Sequence, residues 1–95
     1  MRNLAWNDEK NAFLKEQRGV CFDDVVSAIN EGHVLDIIQH PQKSRYPNQL
    51  IYVVLINEYV YCVPCVEDDE KIFLKTIFPS RKFTKKYFHS LRKKV

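Results

Sequence analysis

The side chains in this sequence that suit chemistry are cations and proton carriers. Arg81 follows Pro79-Ser80, where a helix opens after a strand. A guanidinium there sets a planar fork of donors beside the free N–H groups of the first helical turn, so both can meet one phosphate. The plain alternative is an exposed surface arginine. Lys71 and Lys75 share one face of an apolar run with Phe73 and Ile77. They read either as phosphate contacts or as charges that keep a strand edge from aggregating. His40 carries the side chain suited to proton transfer near neutral pH, yet its place before Pro41 also fits a solvated turn residue. Tyr87 recurs with Phe83 and Leu91 at helical spacing, which suits core packing, while its hydroxyl is able to reach out at the edge of that stripe. His33 and His89 read as surface residues.

Cys62-Val63-Pro64-Cys65 invites a zinc or redox reading that its setting opposes. An offset of three in an extended strand points the two sulfurs to opposite faces. A redox pair sits at a helix N-terminus, and zinc needs a second pair of ligands. Only Cys21 and scattered histidines remain, so neither metal nor cofactor is expected. Three cysteines are also an odd number for a disulfide framework.

These residues need elements to hold them. Leu4-Ala5-Trp6 reads as a short strand, and Asn7 as the N-cap of a helix that stops at Arg18-Gly19. A second helix opens near Phe22, with Phe22, Val25, Val26 and Ile29 on one stripe, and Gly32 ends it. Val34–Ile38 reads as a strand broken by His40-Pro41, and the polar, basic stretch from Gln39 to Asn48 as a mobile loop. Leu50–Ile56 has the continuous apolarity of a central strand covered on both sides. Asn57-Glu58 turns the chain into Tyr59–Val66, where Pro64 predicts a bulge or an open edge. After the acidic turn Glu67-Asp68-Asp69-Glu70, Lys71–Phe78 reads as one further strand, and Pro79-Ser80 caps a basic terminal helix. The expectation is an α+β fold: a short first strand, two helices, an antiparallel sheet of about four strands and a C-terminal basic helix.

The chain has 95 residues, enough for one domain over 1–95, and 45% hydrophobic against 28% charged residues is an ordinary globular balance. No apolar stretch is long enough to span a membrane, and the opening Met1-Arg2-Asn3-Leu4-Ala5-Trp6-Asn7-Asp8 turns acidic before a signal-peptide core forms, so a cytoplasmic location is expected. The net charge of +3 conceals a division along the chain. All twelve acidic residues precede Pro79, while seven of the fifteen Lys and Arg crowd into residues 79–95. A basic end on an acidic body suits contact with a polyanion or an acidic protein, or is a solvated tail.

At the level of motifs, Trp6-Asn7-Asp8-Glu9-Lys10, Arg18-Gly19-Val20 and Phe22-Asp23-Asp24 resemble the opening of the BrnT toxins. Pro79-Ser80-Arg81-Lys82 and Thr84-Lys85-Lys86-Tyr87 resemble that family's closing Ser-Ala-Arg segment and downstream Tyr. His40-Pro41, Pro47-Asn48-Gln49 and Phe73-Leu74-Lys75-Thr76 are similar to a BrnT-like subgroup. The chain departs from the family at Leu14, Gln17 and Arg18, where Asn, Lys and His are common. The resemblance implies a RelE-like fold, a ribonuclease that halts translation, and a cognate antitoxin, often of the ribbon-helix-helix class, that neutralises it.

Metal-free RNA cleavage needs a base for the 2′-hydroxyl, cations for the developing charge and an acid for the leaving oxygen. Under that reading Arg81, Lys75, His40 and Tyr87 form the catalytic set, and Lys71, Lys82, Lys85, Lys86 and Lys10 bind RNA. The alternative is a binding module without chemistry, whose basic C-terminal helix holds nucleic acid or an acidic protein.

Overall fold

Asn7 ends the first strand and starts the first helix. The computed structural model describes residues 3–92, apart from the side chains of 89–92, so the readings of His89 and Leu91 lie outside the described side chains. Strand β1 spans Asn3–Trp6 and helix α1 spans Asp8–Arg18. The Asn7 carboxamide oxygen accepts the Lys10 N–H at 2.9 Å, and Asp8 and Glu9 sit in the first turn, where the helix dipole favours acids. Gly19 closes the helix at φ 69°, a left-handed conformation that a side chain disfavours, with its N–H on the Lys15 carbonyl. Helix α2, Phe22–Asn30, follows almost at once. The Asn11 side chain accepts the Phe22 N–H at 2.6 Å and so joins the two helices at their corner. Phe22, Val25 and Ala28 are buried, with Val26 and Ile29 half-buried beside them, and the Trp6 ring stacks on Phe22 at 5.8 Å.

The remaining elements are β2 (Val34–Gln39), β3 (Gln49–Ile56), β4 (Tyr59–Glu67), β5 (Lys71–Leu74), β6 (Phe78–Pro79) and α3 (Arg81–Arg92). The sheet order is β1-β5-β4-β3-β2, with β6 also on β4. Strands β2 to β5 pair antiparallel, as the meander pattern predicts. β1 instead joins β5 in parallel, so the sheet is mixed rather than antiparallel throughout. In that register Leu4 and Trp6 lie beside Ile72 and Leu74, and all four pack into the core that α1 and α2 cover. The β3–β4 hairpin turns through Asn57 and Glu58 at φ 50° and 64°, the double positive φ whose twist matches the flanking strands.

The expected strand Lys71–Phe78 is two pieces on one edge of β4. β5 pairs Leu74 with Cys65, whereas β6 pairs Phe78 with Cys62, a register longer by one residue. The extra residue falls opposite Pro64. The Pro64 carbonyl accepts the Lys75 N–H at 2.8 Å, so the side of Pro64 that lacks an N–H faces this same edge. A regular ladder has no donor to use there, and the partner strand bulges. Ile77, expected beside Lys75 and Phe73, is thereby turned to the other face, where it is fully buried under the helices.

Both sheet faces are covered around the middle of β3, where adjacent Val53 and Val54 are each 0% exposed. Val54, Val63, Cys65, Leu74 and Ile77 meet Leu14, Phe22 and Val25 of α1 and α2. On the opposite face, α3 lies against β4. Cys62 and Cys65 occupy opposite faces, as their odd spacing requires, and the three cysteines are buried free thiols. Among the described residues no helix is long and apolar enough to cross a membrane.

Burial pushes the Cys65 thiol from 9.0 up to about 11. The folded chain then holds this proton to higher pH than the unfolded chain. The associated stability is intact below about pH 9 and is lost as pH climbs towards 11, on the order of 2 kcal/mol. Denaturant titrations from pH 8 to 11 should show a steeper fall for the natural chain than for Cys65→Ala, whose stability is lower but flatter across that window.

Candidate functional site

α3 owes its place to a substitution in the β4 ladder. The Ser80 N–H donates to the Val60 carbonyl at 2.9 Å, as a ladder residue does, but the Ser80 carbonyl turns into the helix and accepts the Thr84 N–H. The Val60 N–H therefore has no ladder acceptor and donates to the Thr84 hydroxyl at 3.0 Å, while that hydroxyl donates to the Ser80 carbonyl at 2.7 Å. The Ser80 hydroxyl caps the helix through the Phe83 N–H at 3.2 Å. From this start α3 lays Phe83 and Tyr87, with rings 6.3 Å apart, on its inner side. Arg81, Lys82, Lys85 and Lys86 are exposed, and the Lys86 ammonium lies 5.7 Å from the Tyr87 ring centre. Burial, with a smaller contribution from the Asp36 carboxylate, raises the Tyr87 phenol above the usual tyrosine value. At neutral pH it is a hydrogen-bond donor.

Beyond α3 the same sheet face holds a small groove of about 140 Å³. Ile51 and Pro64, paired across β3 and β4, line it, with Gln49, His40 and Lys75 at its rim. His40 enters at the end of β2, and its N–H donates to the Gln49 carbonyl at 3.1 Å. Lys75 enters at the bulge through its bond to Pro64. Two residues chosen for chemistry from distant parts of the sequence thus meet over one groove.

The loop 40–48 arranges the histidine. The Gln42 N–H donates to His40 Nδ1 at 3.1 Å, so a neutral ring carries its proton on Nε2, the nitrogen left for a ligand. The Tyr46 ring lies 4.4 Å from the His40 ring, and the Arg45 guanidinium is 5.7 Å from the Tyr46 ring centre. Arg45 and Tyr46 both donate backbone N–H groups to the Gln42 carbonyl. The stretch expected to be a loop is one, with hydrogen bonds inside its turn and an aromatic contact on its histidine.

The other candidates are dispersed. Lys71 is exposed on β5, four residues from Lys75 and so about 13 Å along the strand. Arg81 follows the residue bonded to Val60, four residues along β4 from Pro64, which places the helix start roughly 13 Å from the groove. One phosphate does not span Arg81 and the His40–Lys75 pair, although an extended chain of phosphates does. Lys10 lies on α1, across the sheet, with its ammonium 5.3 Å from the Phe13 ring centre. His33 is exposed beside Glu31, 3.7 Å away, as a surface residue should be.

Three contributors escaped the sequence reading. Tyr46 was visible as an aromatic beside Arg45 in a proline-bounded loop. Thr84 and Arg18 were not, because their roles depend on where the sheet ladder fails. Arg18 Nη1 donates to the Ile77 carbonyl, so the last residue of α1 holds the far side of the bulge that delivers Lys75. No family model, curated protein or solved structure matches this chain.

Thr84→Val keeps the shape of the side chain but strands the buried Val60 N–H and should cost about 1–3 kcal/mol. Thermal unfolding reads the loss. Hydrogen exchange of the Val60 amide, accelerated in the variant while Val54 stays protected, assigns it to undocking of α3.

Proposed function

We propose that this protein is a metal-independent ribonuclease, the toxin of a toxin–antitoxin pair of BrnT type with a RelE-like fold. The observation that carries the reading is the meeting of His40 and Lys75 over one groove beside a basic, aromatic loop. An RNA strand lying on this face finds Lys75 as the cation for phosphate charge and the His40 Nε2–H as a donor to the leaving oxygen; for the ring to act as base toward the 2′-hydroxyl, it has to give up the Gln42 N–H bond and carry its proton on Nδ1. Arg81, Lys82, Lys85 and Lys86 on α3 and Lys71 on β5 hold neighbouring phosphates, and the Tyr87 phenol is a further donor along the path. Lys10, across the sheet, is the least suited of the candidates to the same strand. The motif resemblance adds the antitoxin as the natural partner.

Induced expression of the chain alone should arrest bacterial growth, and co-expression of the adjacent gene should restore it. Purified chain should cleave single-stranded RNA equally well in EDTA. Lys75→Ala should slow cleavage about a hundredfold, the usual cost of one charge-stabilising donor, with thermal stability unchanged, since exposed substitutions alter stability by less than about 0.5 kcal/mol. Arg81→Ala should weaken RNA binding, and Arg81→Lys should restore only part of it, because an ammonium lacks the planar fork. Normal growth at high soluble expression, with oligonucleotide binding retained, would shift the reading to a non-catalytic module that grips nucleic acid with α3.

A further inference from the structure

Four hydrogen bonds around His40 close on themselves. The His40 N–H donates to the Gln49 carbonyl at 3.1 Å, and the Gln49 N–H donates to the Tyr46 carbonyl at 3.3 Å. The Tyr46 N–H donates to the Gln42 carbonyl at 2.9 Å, and the Gln42 N–H returns to His40 Nδ1 at 3.1 Å. Three of these bonds join backbone to backbone, and the fourth ends on the imidazole. Pro41 has no N–H, so Gln42 is the first residue after His40 whose backbone is able to close the cycle.

The bond to the imidazole is the weak link. It lies in an exposed turn, where water competes for both partners. The terminal torsion of a histidine is broad and roughly two-fold, so the side chain itself does not choose between this ring orientation and its reverse. A half turn puts a ring C–H where Nδ1 stood, breaks the cycle and moves Nε2 off its place. The Tyr46 ring, half-buried like His40, lies 4.4 Å from the imidazole at 43° to its plane. Tyr46 is tied through its backbone to Gln42 on one side and Gln49 on the other, so its ring is held where it packs on the imidazole. We propose that Tyr46 is a positioning residue for His40, whose ring keeps Nδ1 on the Gln42 N–H and leaves the Nε2–H for the groove. This arrangement stands without the ribonuclease reading, whereas the use of the Nε2–H as a donor to the leaving oxygen rests on it.

Nuclear magnetic resonance of the ring and amide nitrogens, on the labelled full chain in mildly alkaline buffer, reads the imidazole directly. It should show a bare Nδ1, a protonated Nε2 and a scalar coupling between Nδ1 and the Gln42 amide nitrogen. Tyr46→Ala leaves the backbone donors and acceptors of the cycle in place, yet should lose that coupling and speed exchange of the Gln42 amide several-fold. The amides of positions 46 and 49 should stay protected. Tyr46→Phe keeps the ring and should restore both signals. On RNA, Tyr46→Ala should cut the cleavage rate about tenfold or more at unchanged oligonucleotide affinity, and Tyr46→Phe should recover it. Four results would overturn the proposal: a protonated Nδ1 in the neutral ring of the natural chain, an undisturbed coupling in Tyr46→Ala, lost protection at positions 46 and 49, which would make the ring a prop of the whole loop, or weaker RNA binding at an unchanged rate, which would make it a stacking platform for a base. A natural chain that shows the coupling and cleaves no RNA would overturn the ribonuclease reading alone.

Discussion

Pro64 has no N–H, and that absence organises one whole side of the molecule. Its carbonyl still holds Lys75, but the ladder beyond it has no donor, and the partner strand gains a residue. The inserted residue reverses the facing of Ile77, which completes the core under α1 and α2. It also sets the register in which β6 hands the chain to Ser80, and hence where α3 begins. A central proline that would ordinarily weaken a strand here determines both the exit of a candidate catalytic lysine and the docking of a helix.

The rest of the fold divides charge by face. The loop 40–48, Lys75 and α3 gather cations on one side of the sheet, while the turn after β4 gathers carboxylates at a corner of the other. The net charge of +3 reports neither. What matters is that β2 and β3 present Ile38 and Ile51 to one face and Ile37 and Tyr52 to the other, so alternate residues of the same strands serve two surfaces.

Much of this was legible before any coordinates. Asn7, Gly19, Asn57-Glu58 and Ser80 each mark an element boundary through local chemistry, and local chemistry is what a sequence displays directly. The double coverage of β3 was equally plain, because continuous apolarity leaves no solvent face. The parallel placement of β1 was not, since four residues carry no signal of direction or partner. Nor was the break at Lys75–Ile77: the run reads as unbroken strand, and only the residue across from it explains the interruption. For the site, His40 and Lys75 were chosen by residue type, but their meeting depends on sheet order, which no spacing along the chain encodes. Arg81 was visible at its helix start, and its distance from the groove was not.

The parallel pairing of β1 with β5 has a consequence in time. Asn3 finds its partner only when Lys71 exists, and Leu4 and Trp6 have no completed core until Leu74 takes its place beside them. Synthesis proceeds at about 5–20 residues per second, so the amino end waits several seconds, unpaired, for the strand that receives it. Contacts of such long span form late and slowly. By then β2, β3 and β4 have already been made and are able to assemble as a hairpin stack with local connections. The pairing of β1 with β5 thus spans more of the chain than any other pairing of the sheet, and β1 is the strand whose docking has to wait longest for its partner.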